Sequence, residues 1–537
     1  MSSQNVPLEG SRRYHRAGTE IRGRVDPQEW CDITVKLRPR NPLPQPDDVA
    51  RMSAMTRQEF QEHHGANESD MQDVEQTFNA LGLSLVSKDA ASRRMKFTGT
   101  AETMERAFDT HLFRAVREDH VFRARTGDLR IPSNLEGKIV GVFGLDTRRM
   151  AHRRRQADAL AVANSEQPLR PWFTPGELAA IYDFPPGNGD GQTIAILEFG
   201  GEYSEADLRL FAQRTGATAI PEVEAVDVGS LSPTNHRAPD ATGEVMLDIE
   251  VVAGAAPGAK QVIYFSNFTE QGWIDAIDTA VHDAMRKPDV ISISWGMAEG
   301  EQIWTDQATD VINDSLKAAA LLGVTVFVAA GDDGSDDQAA DGRAHVNFPA
   351  SSPFVVAVGG TMLPRQRGKL TELVWKEGDG LRRDGGGSTG GGISAVFARP
   401  AWQNVTISSV NPGAIDGRII PDIAANAAAS TGYFVVSGGR SGVAGGTSAA
   451  TPLWAALTAR LNAVLASDGK RVGYLTPRLY QPNPKSAGEP VGAAGCNDVT
   501  KGNNVTAAAG GYHAAVGFDA VTGWGSPKGR KLAELLS

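Results

Sequence analysis

Two hydrophobic rhythms divide the chain. In the first 150 residues, apolar positions alternate or recur at helical spacing within short segments. The stretch CDITVKLRPR (31–40) predicts a strand. MQDVEQTFNALG (71–82) and AETMERAFDTHL (101–112) repeat apolar residues every three or four positions and predict helices. SRRMKFTGT (92–100) reads as a strand between them. Together these segments predict a small α+β unit over residues 1–150.

Beyond residue 171 the rhythm changes. QTIAILEFGG (192–201), AKQVIYFSN (259–267), PDVISISWG (288–296), VTVFVAAGDDG (324–334) and FVVAVGGT (354–361) are nearly continuous apolar runs. GEVMLDIEVVAGA (243–255) and WIDAIDTAVHDAM (273–285) read as helices lying between such runs. Strands of this kind are buried on both faces, so the expected class is α/β, a parallel sheet covered by helices on each side. Its chemistry belongs at the carboxyl ends of the strands. Between the two units lies RRMAHRRRQADALAVANSEQPLRP (148–171), Arg-rich, then Ala-rich, with no buried pattern. Residues 151–170 are therefore expected to form an exposed, cleavable linker ahead of a second domain at 171–537. The glycine run DGGGSTGGGIS (384–394) lacks the strand–turn–helix setting of a phosphate loop and reads as a flexible loop.

Composition narrows the classes. With 537 residues, 41% hydrophobic and 22% charged, the chain suits a soluble globular protein with more than one core. No apolar stretch approaches the roughly 18 residues of a membrane span, so no membrane partner is expected. MSSQNVPLEGSRRYHRAGTE at the N-terminus has no apolar segment of the secretory-signal kind. Up to residue 166 there are 26 Lys+Arg against 24 Asp+Glu, a net of +2, whereas the remainder carries −13. So acidic a domain is a poor binder of nucleic acid. The two cysteines, Cys31 and Cys496, fall in different halves, which argues against a disulfide framework.

GGTSAATP (445–452) is followed by an apolar helical run, so Ser448 stands near a helix N-terminus. There it is either a nucleophile favoured by the helix dipole or an N-cap serine. A nucleophile needs a base. His236, His282, His345 and His513 are the histidines beyond the linker, and none has an evident triad setting. Carboxylates are the alternative. Glu244 and Asp248 are four apart, share one helix face and sit among Val245, Met246, Leu247, Ile249, Val251 and Val252. Such a pair makes chemical sense if it shares a proton; otherwise it is a solvated helix face. Asp332, at the end of a buried strand, is either a protonated donor to an oxyanion or part of an ordinary Asp-Gly turn or metal loop.

These motifs, together with GEVMLDIEV, SISWG, AAGDDG, GGISAVFARPAWQ, RIIPDIAANA, GGTSAATPLWAAL, NDVTKGNN and GFDAVTGWGSP, resemble the sedolisin family of serine-carboxyl peptidases, kumamolisin type. The resemblance spans almost the whole chain, and residues 1–150 resemble the family's activation domain. It implies a subtilisin-like fold in which a glutamate replaces the histidine base. By that likeness Ser448 is the nucleophile, Glu244 the general base and later acid, Asp248 its orienting partner and Asp332 the oxyanion donor. Glu198 in ILEFGGEY matches an outer carboxylate of kumamolisin-type members and Trp295 lies near it; read structurally, they are a strand-end glutamate and a core tryptophan. The likeness also implies one structural Ca2+, held by the carboxylates of Asp498 and Asp519 and by the carbonyls of Val499, Ala515 and Gly517, an all-oxygen set suited to that ion. Ala515 stands where members often have glycine. The implied enzyme is a secreted, monomeric, autoprocessing acid endopeptidase. Its partners are protein or peptide substrates and its own propeptide, an intramolecular inhibitor. Two other readings of the same residues are a glycosidase, disfavoured because its acids flank the scissile bond, and a catalytically silent binding protein.

Overall fold

A computed structural model describes residues 5–117, 120–150, 170–217, 220–229, 241–300, 303–339, 341–382 and 386–537. The expected linker falls almost wholly outside these residues.

The first unit is built on β1 (Trp30–Leu37), α1 (Arg57–His64), α2 (Glu68–Ala80), β2 (Ser84–Asp89), β3 (Arg94–Thr100), α3 (Ala101–Phe108) and β4 (Ile139–Phe143). Its four strands form one antiparallel sheet in the order β2-β3-β1-β4. The two-residue period of β1 sends Ile33, Val35 and Leu37 into a core with Met71, Val74, Phe78, Met104 and Phe108 from the helices. It also puts Thr34 and Lys36 on the opposite face, and both are buried as well.

What buries that second face is the larger domain. Its strands β5 (Thr193–Glu198), β6 (Val223–Asp227), β7 (Lys260–Phe265), β8 (Val290–Ile293), β9 (Thr325–Ala329) and β10 (Val356–Met362) run parallel in the order β6-β7-β5-β8-β9-β10. β10 is flanked further by antiparallel β11 (Leu373–Val374) and parallel β12 (Ile423–Asn426). Helices α4 (Thr242–Ala255) and α7 (Thr447–Leu465) cover one side of the sheet, α5 (Glu270–His282) and α6 (Asp306–Leu321) the other. Within β5, Ile194 and Ile196 join the first core while Ala195 and Leu197 join the second. That is why the run QTIAILE shows no alternation. Cys31 and Cys496 are both buried and unpaired.

The glycine run departs from the expectation of a flexible loop. Gly387–Ser388 and Gly392–Ala398 are strands, and residues 387–394 are buried. A Cβ on Gly390 would stand 2.0 Å from the Ala330 carbonyl oxygen. The glycines serve close backbone packing behind the β9 loop, which composition alone does not distinguish from mobility.

The first unit docks its polar sheet face on α5 through buried charge pairs. Lys36 Nζ lies 2.5 Å from Asp278, Lys96 Nζ 2.8 Å from Asp275, and the Thr34 hydroxyl donates to Asp275 at 3.1 Å. Arg13 reaches Glu270 at 2.6 Å. Burial pulls Lys36 down to about 8. Burial alone would raise the Asp278 carboxyl, but Lys36, Arg94 and His282 outweigh it and leave it below its ordinary range. Breaking such a buried pair from one side costs about 3–5 kcal/mol, whereas replacing both partners with apolar groups is nearly neutral. Lys36→Met should therefore lower the onset of thermal unfolding of the precursor in scanning calorimetry. The double variant Lys36→Met with Asp278→Leu should recover most of that loss; an equal loss in both would show that the pair is not what holds the units together.

Candidate active site

Four chain segments converge at the carboxyl ends of the parallel strands. β5 ends on Glu198; β8 ends on Ile293 and delivers Ser294 and Trp295; β9 is followed by Asp332; and α7 begins at Thr447, one residue before Ser448. From α4, Glu244 lies in the first turn, partly exposed, and Asp248 one turn further on, wholly buried. The apolar sequence of α4 explains this placement: a helix buried nearly all round has no solvated face for Asp248.

Glu198, Asp248, Asp332 and Ser448 are each at most 1% exposed. Trp295 Nε1 donates to Glu198 Oε2 at 3.0 Å. Ser294 Oγ lies 2.6 Å from Asp248 Oδ2, and the Ser448 hydroxyl donates to the Ser294 carbonyl at 3.2 Å. Among the described residues, Glu198 Oε1 and Asp248 Oδ1 have no hydrogen-bond partner. Burial, then the charge of Glu244, pushes Asp248 well above the usual carboxylate range. Glu198 is raised the same way by burial, then by Asp248 and Glu244. Asp248 therefore does not lie on a solvated face, and burial among like charges favours the protonated form of Asp248 and Glu198.

Ser448 is not an N-cap. The first N–H of α7, on Thr447, donates to Asp332 Oδ1 at 2.8 Å, and the Thr447 hydroxyl donates to the same oxygen at 2.6 Å. Asp332 thus caps the nucleophile's helix from across the sheet. Gly446 precedes it with φ +114°, and a Cβ there would stand 2.9 Å from Asp332 Oδ2, so no other residue fits. Asp332 Oδ2 forms an ion pair with the Arg382 guanidinium.

Comparison with known proteins agrees with this geometry. Residues 17–148 match the pro-kumamolisin activation domain and residues 225–479 the subtilase family. The chain is 40% identical to kumamolisin of Bacillus sp. (strain MN-32), covering 98% of this chain and 96% of that protein. It is 31% identical to tripeptidyl-peptidase sed5 of Aspergillus fumigatus, covering 99% and 97%. The crystal structure of Pseudomonas sedolisin, a serine-carboxyl proteinase complexed with two molecules of pseudo-iodotyrostatin, aligns with TM-score 0.58 and 31% identity, covering 68% of this chain and 97% of that one. The chain belongs to the sedolisin family of serine-carboxyl peptidases. It has the subtilisin-like fold of that family and carries its activation domain, as a zymogen does.

The histidines of this sedolisin lie elsewhere. His282 packs on Phe60 of the activation domain with ring centroids 5.4 Å apart, His345 Nε2 sits 2.9 Å from Asp341, His513 is exposed, and His236 is outside the described residues. The two carboxylates expected to hold calcium come from neighbouring loops. Asp498 Oδ2 accepts from Gly517 N at 2.9 Å, and Asp519 Oδ2 accepts from Ala515 N at 3.0 Å. Ala515 is not among the residues of positive φ, so its replacement of glycine costs nothing there, while Gly517 sits at +85°. Asp519 is 3% exposed, and burial pushes its carboxyl up to about 6, a group for which a divalent cation would be a fitting partner. Val499 is buried beside them.

Sequence reasoning passed over Ser294, Thr447 and Arg382. The first two adjoin residues it did name, in SISWG and GGTSAATP, but hydroxyl partners across a sheet leave no local signal. A hydrogen bond to a charged group contributes about 1.5–3 kcal/mol, so Thr447→Val should lower kcat/KM on a peptide substrate about tenfold or more. Thr447→Ser should retain most activity. Equal activity of the Val variant would mean that the Thr447 hydroxyl does not hold Asp332 for the reaction.

Proposed function

We propose that this sedolisin is an acid-active endopeptidase working through an acyl-enzyme on Ser448. The observation that carries the reading is that Ser448, the buried carboxyls of Asp248 and Glu198, the partly exposed Glu244 and Asp332 lie at one end of the sheet. Glu244 takes the Ser448 proton as the hydroxyl attacks the scissile carbonyl, then returns it to the leaving amine. Asp248 shares the proton and tunes that exchange, and Glu198 with Trp295 backs it. A carboxylate suits acid, since an ordinary histidine with a pKa near 6.5 is neutral only about 0.3% of the time at pH 4. Asp332 becomes the donor to the oxyanion once it is protonated and Arg382 has withdrawn from it.

Maturation belongs to the same reading. The activation domain acts as an intramolecular inhibitor, docked on α5 by Lys36–Asp278 and its neighbours. Weakening of such pairs by carboxylate protonation is not enough for Asp278, which is held below its ordinary range. His282 supplies a better-placed step. Burial pulls its pKa down to about 4, against about 6.5 when free, and Asp278, Lys36, Asp89 and Arg93 bear on it. A base with a depressed pKa favours the docked state fully above about 6.5 and progressively less as pH falls toward 4. Acid therefore loosens the activation domain, and cleavage follows between about residues 151 and 171.

One experiment tests both parts. Incubated at pH 4, the wild-type precursor should lose roughly its first 150–170 residues and then cut an internally quenched peptide with a blocked N-terminus. At pH 7 it should stay intact. Ser448→Ala and Glu244→Gln should neither process nor cut, while His282→Gln should need a more acid medium to begin. Processing of the Ser448→Ala precursor without added protease would refute self-maturation. Cleavage only of peptides with a free N-terminus would make the enzyme a tripeptidyl-peptidase, as the Aspergillus relative is named.

We also propose one structural Ca2+ held by Asp498, Asp519 and the carbonyls of Val499, Ala515 and Gly517. Bound there, the ion would cross-link the two C-terminal loops. A ligand bound only to the folded state stabilises it by about 2.7 kcal/mol at 100 times its Kd. Chelation should therefore lower the melting temperature, and Asp519→Ala should abolish that sensitivity. A melting temperature indifferent to chelator in the wild type would eliminate the site.

A further inference from the structure

A proline inside α7 leaves the nucleophile's carbonyl without its helical partner. In an unbroken helix the carbonyl of Ser448 would accept from the N–H of residue 452, but that residue is Pro452, which has none. The Ser448 residue is buried, so water is not a ready substitute. Ser294 Oγ stands 3.2 Å from this carbonyl oxygen and 2.6 Å from Asp248 Oδ2. A hydroxyl carries one proton and cannot donate to both oxygens at once. The two contacts are satisfied together only when Asp248 is protonated on Oδ2: the carboxyl then donates to Ser294 Oγ, and Ser294 donates to the Ser448 carbonyl. When Asp248 is ionised, the Ser294 hydroxyl turns to Oδ2 and the Ser448 carbonyl loses its donor.

We propose that Ser294 is a positioning residue that couples the protonation state of Asp248 to the backbone of the nucleophile through this single rotating hydroxyl. The coupling rests on the reading of Glu244 and Asp248 as the acid–base pair. The step is a proton transfer: the O–H bond on Asp248 breaks as one on Glu244 forms, and the Ser294 hydroxyl turns to Oδ2 as that carboxylate becomes ionised. The titratable groups that bear on Asp248 are Glu244 on its own helix and Glu198 at the end of β5. Ser294 itself favours the charged form of Asp248. Among the described residues no group donates to Asp248 Oδ1. Removing the hydroxyl takes away its bond to Asp248 in either state and so shifts the proton affinity of the carboxyl pair.

The test is the pH profile of kcat and KM for the acid-processed enzyme. Ser294→Ala should displace the acid limb of kcat/KM by about one pH unit, the shift equivalent to loss of one charge-assisted hydrogen bond. It should lower kcat about tenfold at the optimum, with KM changed less than twofold. Ser294→Cys, of nearly the same shape but a much weaker donor, should show the same direction of shift and covers the case in which the alanine variant does not fold. Ser294→Thr, which keeps the hydroxyl, should restore the wild-type limb. A uniform loss of activity with an unmoved limb in both the Ala and Cys variants would reduce Ser294 to a packing residue and overturn the proposal. Glu244→Gln measured in parallel separates the two claims. If it keeps wild-type turnover, the acid–base reading itself fails; if it is inactive and the Ser294 limb has not moved, only the coupling fails.

Discussion

Three carboxyl groups in one poorly hydrated site cannot all carry charge. Glu198 and Asp248 are wholly buried beside Glu244; Glu244 raises the proton affinity of Asp248, and both raise that of Glu198. A shared proton is therefore a consequence of packing and not an added feature. The flanking donors are arranged to suit it. Trp295 and Ser294, consecutive in the chain, engage one oxygen each of Glu198 and Asp248 and leave the other oxygen of each group open. The remaining machinery is positioned by strand ends on the same parallel sheet, so the rigidity of that sheet sets the carboxyl spacing.

The activation domain meets the same constraint in the opposite way. Where the active site crowds like charges, the docked face pairs unlike ones, Lys36 with Asp278 and Lys96 with Asp275, in an equally buried setting. Paired charges are stable across a wide pH range, whereas a buried neutral histidine is not. In the proposed maturation, His282 against Phe60 supplies the acid sensitivity that Asp278 lacks. Asp332 caps the Ser448 helix through Thr447 and at the same time pairs with Arg382.

Much of this was legible in the chain, at the places where local rules suffice. The apolar runs of β5, β7, β8 and β9 announced a sheet buried on both sides, and their ends located Glu198, Trp295 and Asp332. The apolar surroundings of Glu244 and Asp248 pointed to a buried pair. The strand around Thr34 and Lys36 was equally clear, but its polar alternation suits solvent as well as it suits a partner's acidic helix. Asp275 and Asp278 were hidden for the same reason: i and i+3 acids on α5 look like an exposed stripe until a basic sheet is laid on them. The glycine run misled because close packing and mobility call for the same residue.

The sequence by itself determined the periodicities, and so the two units, the strand ends, the helix that carries Ser448 and the proline that interrupts its hydrogen bonding. These depend on neighbours within a turn or a strand, where backbone geometry is nearly invariant. Only the tertiary structure decided where protons reside. Ser294 meets Asp248 from 46 positions away and Ser448 from 154, and Thr447 meets Asp332 from 115. Proton affinity depends on desolvation and on charges a few ångströms distant, and both come into being only when remote segments close over one another.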